Sequence, residues 1–156
     1  MGVHYSIKVI GVDNSNNEKF TYIASGSSDG LAIMLKDKER NYRTEQKLAD
    51  ILTQEEIESI YCIYGERSSS VLEGWETYNP EPQSPDKIIN VLDKMRRFYL
   101  VKLIKEKDLS NTKSSWGTHD DMFMEILFDV KTLSEIIAAL TIAKQMDLKI
   151  LLTISD

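Results

Sequence analysis

The chain has 156 residues, of which 42% are hydrophobic and 28% charged, and its formal net charge is -6. This length and composition predict one globular domain spanning residues 1–156. No stretch approaches the roughly 20 apolar residues of a membrane span. The acidic balance argues against nucleic-acid binding, and a single cysteine excludes an internal disulfide. The first residues lack the basic and apolar regions of a signal peptide, so we expect a cytoplasmic protein without membrane contact.

The N-terminal part predicts antiparallel strands. Residues 4–12 and 19–25 both alternate apolar and polar side chains, and the turn-forming residues 13–18 separate them. This pattern is typical of a β-hairpin. Residues 31–36 then predict a third strand, which would complete a meander with one face on the core.

Two short helices are predicted next. The first covers residues 44–52. The second begins at a capping box, in which Thr53 and Glu56 satisfy each other's backbone N–H groups, and Gly65 is expected to end it. The apolar residues at helical spacing in this second helix are Ile57, Ile60, Tyr61 and Tyr64.

A long helix over residues 84–107 is the central element of the predicted fold. Ser84 and Pro85 are favoured at a helix start, and cations accumulate in the last turn. One apolar stripe repeats every three or four residues: Ile88, Val91, Leu92, Met95, Phe98, Tyr99 and Leu103. Residues 98–104 are apolar nearly all round, which fits either a buried helix or a buried strand. We favour the helix, because no Gly or Pro separates these residues from the periodic part.

The C-terminal part predicts a βαβ unit. Residues 122–130 alternate like a strand, Thr132 and Glu135 match a second capping box, and residues 148–154 form a last strand. The two strands should be parallel. The predicted fold class is therefore α+β: a mixed sheet, with an N-terminal antiparallel hairpin or meander and a C-terminal βαβ unit, packed on a long central helix.

Charge is unevenly distributed along the chain. Residues 53–86 contain eight acidic residues against one arginine, whereas residues 87–115 contain eight Lys or Arg against three acids. Either the basic helix lies beside the acidic segment and the two neutralise each other, or the acidic segment faces a basic partner protein.

The favoured function follows from the second possibility. Trp75, Tyr78 and Trp116 lie in polar loops, where large aromatic side chains either anchor an interface or cover one end of the core. Together with Glu73 and Glu76, they are the predicted partner-binding residues. We expect a small, acidic, soluble, non-enzymatic protein that binds a basic partner, as toxin-neutralising immunity proteins do. This interpretation requires no cofactor and no metal.

The alternative function is a small metal-assisted hydrolase. His119 and Asp121 lie in a loop before the predicted strand and could converge, whereas Asp120 would point the other way. Imidazole and carboxylate can hold a divalent ion or act as base and acid, with a third ligand from elsewhere. A third possibility is a homodimer built on an exposed strand edge.

Overall fold

The computed structural model describes residues 6–24, 35, 48–60, 64–66, 81–105 and 121–155. Strands and helices from these ranges share one apolar core, which confirms the predicted α+β class. In chain order the elements are β1 (Ser6–Val12), β2 (Glu18–Ile23), a 3₁₀ turn (Leu48–Asp50), α1 (Gln54–Ser59), β3 (Tyr64–Glu66), α2 (Pro85–Lys105), α3 (Asp121–Gln145) and β4 (Lys149–Ser155).

The predicted N-terminal hairpin is confirmed. β1 and β2 pair antiparallel, with Val9 opposite Tyr22. The turn between them is held by Asp13, whose Oδ1 accepts hydrogen bonds from the backbone N–H of Ser15 (2.9 Å) and of Asn17 (2.8 Å). The bond from Asn17 contributes most to holding the pKa of Asp13 below its usual value. Within this segment of turn-forming residues, one carboxylate therefore stabilises the turn by accepting backbone hydrogen bonds.

The described strands form a sheet in the order β2-β1-β4-β3. β1 runs antiparallel to β4, with Val9 opposite Leu152, whereas β3 runs parallel to β4. Gln83, just before α2, adds a pair of backbone hydrogen bonds to Ile150, 2.9 Å for its N–H and 2.8 Å for its carbonyl. β4 is therefore paired along both edges.

The third strand predicted over residues 31–36 can be examined only at Leu35, because the rest lies outside the described residues. Leu35 is helical and fully buried, so a strand is wrong at that position. Of the helix predicted over residues 44–52, residues 48–52 are described, and Leu48–Asp50 form a 3₁₀ turn. Leu48, Ile51 and Leu52 are buried, as predicted.

The start of α1 is predicted correctly and its end is not. Thr53 Oγ1 accepts from the backbone N–H of Glu56 (3.2 Å), and Glu56 Oε1 accepts from that of Thr53 (2.8 Å), so the capping box is present. The helix then stops at its C-cap, Ile60. Tyr64 and Gly65 belong to β3, where the backbone pairs with the edge of β4. Strand pairing satisfies these backbone groups, so a glycine stop is not needed.

The long helix is confirmed as α2, and residues 98–104 are helical. Its apolar stripe is buried, and the residues with at most 4% exposure are Ile88, Val91, Leu92, Met95 and Tyr99. The expected burial on most sides is wrong for its last two turns. Leu100, Val101 and Ile104 are exposed there, with Ile104 at 72%.

The strand predicted over residues 122–130 is wrong, because α3 runs without interruption from Asp121 to Gln145. Ile126, Asp129 and Leu133 are buried at helical spacing, whereas Phe128, which would share the buried face of a strand with Ile126, is exposed. The second capping box is also wrong, since Thr132 lies buried within the helix. With this strand gone, the C-terminal βαβ unit is wrong as well. The parallel partner of β4 is β3, which precedes α2 in the chain.

α2 and α3 pack as an antiparallel pair. Lys144 Nζ lies 2.8 Å from Asp86 Oδ1 at one end, and Arg96 Nη1 donates to Ser134 Oγ (3.5 Å) near the middle. This register places the last turns of α2 beside the first turns of α3. α3 also contacts β1 and β4, so the sheet does not rest on α2 alone.

Candidate binding surfaces

The residues chosen from the sequence fall largely beyond the described part of the chain. Glu73, Trp75, Glu76, Tyr78 and Trp116 all lie outside the described residues. Their assignment as partner contacts therefore stays a prediction.

Only one of the three residues of the hydrolase alternative lies in the described part of the chain. His119 and Asp120 lie outside the described residues, and Asp121 is the first residue of α3 rather than part of an extended loop. Among the described residues, no three His, Cys, Asp or Glu side chains converge as metal ligands would. The hydrolase interpretation stays a prediction.

A groove of about 410 Å³ lies between α1 and α2. Both walls follow from local sequence: the capping box fixes the first turn of α1, and the apolar stripe of α2 turns its opposite side outward. Buried Val91 supplies apolar surface to the lining. The complete lining is Glu55, Glu56, Glu58, Ser59, Lys87, Asn90 and Val91. Three carboxylates and one ammonium group make the groove acidic.

The three glutamates differ in what they contact. Glu56 Oε1 accepts from Lys94 Nζ (2.6 Å) as well as from the backbone N–H of Thr53. The bond from Lys94 is the largest of the effects that lower the pKa of Glu56. Glu55 is exposed, and exposed Glu58 accepts only a long bond, 3.5 Å, from Gln54. The charge available to a ligand is therefore that of Glu55 and Glu58.

The Lys94–Glu56 ion pair also joins the basic helix to the acidic segment. It is one contact of the neutralising kind expected from the charge distribution. Because both side chains are partly exposed, the pair contributes little to stability.

Two carboxylates in the helix layer have surroundings that the sequence did not indicate. Asp129 is fully buried in α3, and Glu135 accepts a hydrogen bond from Tyr22 of β2. Burial, followed by the charge and hydrogen bond of Glu135, raises the pKa of Tyr22. The sequence feature that indicates burial of Asp129 is a carboxylate at helical spacing among apolar residues. It becomes visible only when residues 122–130 are assigned to a helix.

A second surface lies where the last turns of α2 meet the first turns of α3. We call it the helix-end patch. It consists of six apolar residues with exposed fractions of 38% to 72%: Leu100, Val101, Ile104, Met124, Leu127 and Phe128. Large apolar side chains scattered singly over a surface are ordinary, whereas exposed apolar groups near the ends of two neighbouring helices are a feature of interaction surfaces.

No protein-family model matches the chain, and comparison with curated proteins and with solved structures gives no match either. In the described part of the chain, no helix has both the length and the apolar composition needed to cross a bilayer.

Proposed function

We propose that this chain is a non-enzymatic binding protein that accepts a basic segment of a partner protein. The observation that carries the proposal is the acidic groove between α1 and α2. Its volume of about 410 Å³ falls in the range that accommodates a ligand side chain or a short segment. Its α1 wall belongs to residues 53–86, the most acidic part of the chain.

The lining suits a lysine or arginine side chain. Such side chains place an apolar stem on apolar surface and keep the cationic head beside carboxylates. Val91 would take the stem, and Glu55 and Glu58 would take the charge. Lys87 at the same groove repels cations, so it would restrict the directions from which a basic side chain can enter.

Neutralisation of a basic toxin is one form that this function takes in other small acidic proteins. The proposal for this chain includes that immunity-type role. Glu73, Trp75, Glu76, Tyr78 and Trp116 remain the predicted contacts that would extend the interface beyond the groove. An acidic surface also attracts a basic partner over a distance and accelerates association at low ionic strength.

Charge reversal in the groove tests the proposal. The probe is a set of fluorescently labelled peptides that carry two to four Lys or Arg residues, with uncharged peptides of equal length beside them. Fluorescence polarisation measures binding to the full chain. We expect Glu58→Lys to weaken binding of the basic peptides roughly ten-fold, because it replaces one charge-assisted contact by a repulsion.

Glu18→Lys is the matched control. It makes the same charge change at an exposed position on β2, and we expect an effect within about two-fold from the change in net charge alone. The proposal fails if no basic peptide binds better than the uncharged set. It also fails if Glu18→Lys weakens binding as much as Glu58→Lys, because the attraction would then be nonspecific.

A further inference from the structure

The side of α2 that forms one wall of the acidic groove carries a further cation. Lys87, Asn90 and Val91 line the groove at the spacing that places residues on one side of a helix. Lys94 follows Asn90 by four positions and Val91 by three, so it lies on the same side. Its Nζ donates to Oε1 of Glu56, on the α1 wall, at 2.6 Å. One end of the groove is therefore bordered by a cation of the chain itself.

This contact compensates one of the three glutamate charges in the groove. The hydrogen bond from Lys94 contributes most to lowering the pKa of Glu56, so the carboxylate is ionised and paired with the ammonium group. The backbone N–H of Thr53 donates to the same oxygen, Oε1, and holds the side chain in place. Glu56 is thus a fixed carboxylate whose charge Lys94 offsets.

The charge that remains in the groove equals that of one cation. The described lining has three glutamates and one lysine, Lys87, and so carries a net charge of -2. Lys94 reduces this to -1 through its contact with Glu56. One bound lysine or arginine side chain would then neutralise the groove. A second would find no net attraction in it, whereas without Lys94 one negative charge would still be unmatched.

We propose that Lys94 determines how many basic side chains the groove binds, and that it restricts the groove to a single lysine or arginine of the partner. This inference rests on the proposed function, because it concerns the same groove and the same class of ligand. Glu55 and Glu58 contact the one cationic side chain that enters. Lys94 acts through Glu56 and withholds the charge that a second cationic side chain would need.

The experiment compares two labelled peptides of equal length, one with a single arginine and one with two adjacent arginines, both otherwise uncharged. Fluorescence polarisation with the full chain gives the ratio of their dissociation constants, which we call the arginine ratio. We expect the second arginine to strengthen binding to the unmodified chain by less than about three-fold, from the long-range field alone. In Lys94→Gln the arginine ratio should rise to about ten or more, the value of one added charge-assisted contact.

Two controls separate the position of the charge from its number. Lys94→Arg keeps the cation at the groove and should keep the arginine ratio of the unmodified chain. Lys131→Gln removes the same charge at an exposed position on α3, away from both walls of the groove. Its arginine ratio should stay within about two-fold of that of the unmodified chain. Circular dichroism shows that each variant is folded.

A pair of double variants tests whether Lys94 acts through Glu56. Lys94→Gln with Glu56→Gln should lose the raised arginine ratio, because the released carboxylate is gone. Glutamine can still accept the bond from the Thr53 backbone, so the helix start is kept. Lys94→Gln with Glu18→Gln has the same net charge but leaves Glu56 ionised, and it should keep the raised ratio.

The outcomes distinguish this inference from the proposed function. If Lys94→Gln has no higher arginine ratio than Lys131→Gln, or if the raised ratio survives Glu56→Gln, the inference is overturned while peptide binding still supports the basic ligand. If no arginine peptide binds any variant better than an uncharged peptide, both fail. NMR titration of the Glu56 carboxyl needs no peptide: its pKa should rise in Lys94→Gln and stay low in Lys94→Arg. An unchanged pKa in Lys94→Gln overturns the inference alone.

Discussion

Single residues set the geometry of the sheet, and Gly11 is the clearest example. It lies opposite Phe20 in the β1–β2 pair. A Cβ at this position would lie 2.5 Å from Cε1 and 2.8 Å from Cδ1 of Phe20. The aromatic ring therefore covers the glycine, and the contact leaves no space for a methyl group. Aromatic side chains often cover strand glycines in this way.

We predict that Gly11→Ala lowers the free energy of unfolding by about 1–3 kcal/mol, because Phe20 must leave its position. Phe20→Leu removes ring atoms from the contact and should make the same Gly11→Ala change less costly. Urea unfolding of the two single variants and the double variant gives the coupling. Additive effects would contradict the close contact, since independent sites add.

The carboxylates show what sequence can predict at this scale. Thr53-Gln-Glu-Glu and Thr132-Leu-Ser-Glu match the same capping pattern, yet only the first caps a helix. The pattern describes four residues, whereas a cap also requires that the chain before it be non-helical. Residues 122–131 are already helical, so the second pattern has no helix start to satisfy.

At the scale of elements, α3 is the main departure from expectation. Residues 122–130 are apolar on more than one side, so alternating and helical patterns both fit them. The absence of Gly or Pro, which decided for a helix in residues 98–104, applies equally between residues 122 and 145. The same reasoning would have recovered the whole helix. The exposed apolar side chains that blurred the pattern are part of the helix-end patch.

Neighbouring apolar residues on α3 should respond very differently to truncation. Leu140 is fully buried and Ile142, two residues on, has 54% exposure. We expect Leu140→Ala to lower the free energy of unfolding by about 2–5 kcal/mol and Ile142→Ala by less than about 0.5 kcal/mol. Chemical unfolding measures both. Equal losses would indicate that the two side chains share one buried face, as they would in a strand.

The acidic groove could not be predicted from the sequence. The capping box at Thr53 and the stripe of α2 were both recognised, so its two walls were available. The sequence alone did not show that the two helices lie side by side. Their proximity is seen in the 2.6 Å contact between Lys94 Nζ and Glu56 Oε1, two residues that are 38 positions apart in the chain. The aromatic residues in the loops could be singled out from the sequence because large aromatic side chains are uncommon in polar loops. Glu55 and Glu58, in contrast, resemble ordinary exposed residues of a helix.

On the scale of the whole molecule, several carboxylates make the free energy of unfolding depend on pH. The pKa values of Asp13, Glu56, Asp86 and Asp93 all lie below their usual values of 3.8 for Asp and 4.5 for Glu. For Asp93, burial raises the pKa, but the hydrogen bonds from Arg97 and Arg96 outweigh that effect. The unfolded chain therefore takes up protons at a higher pH than the folded chain does.

We predict that the free energy of unfolding is steady from about pH 7 to 5 and falls as the pH drops below about 4.5. Asp93→Asn removes one of the lowered groups, so its stability should be reduced at pH 6 and should decline less steeply below pH 4.5. Urea unfolding at each pH measures both curves. A stability that rises on acidification would show that other groups, with raised pKa values, dominate.

β4 follows every other described element in the chain, yet it lies between β1 and β3 in the sheet. During synthesis, the N-terminal hairpin and β3 have no common neighbour until the ribosome has also produced α2, α3 and β4. Until then the edge of β1 that pairs with β4 stays open, and the sheet is completed only when this late strand is inserted between β1 and β3. Such long-range closure slows folding and prolongs the exposure of unpaired edges. We therefore expect the nascent chain to depend on chaperones more than its small size suggests.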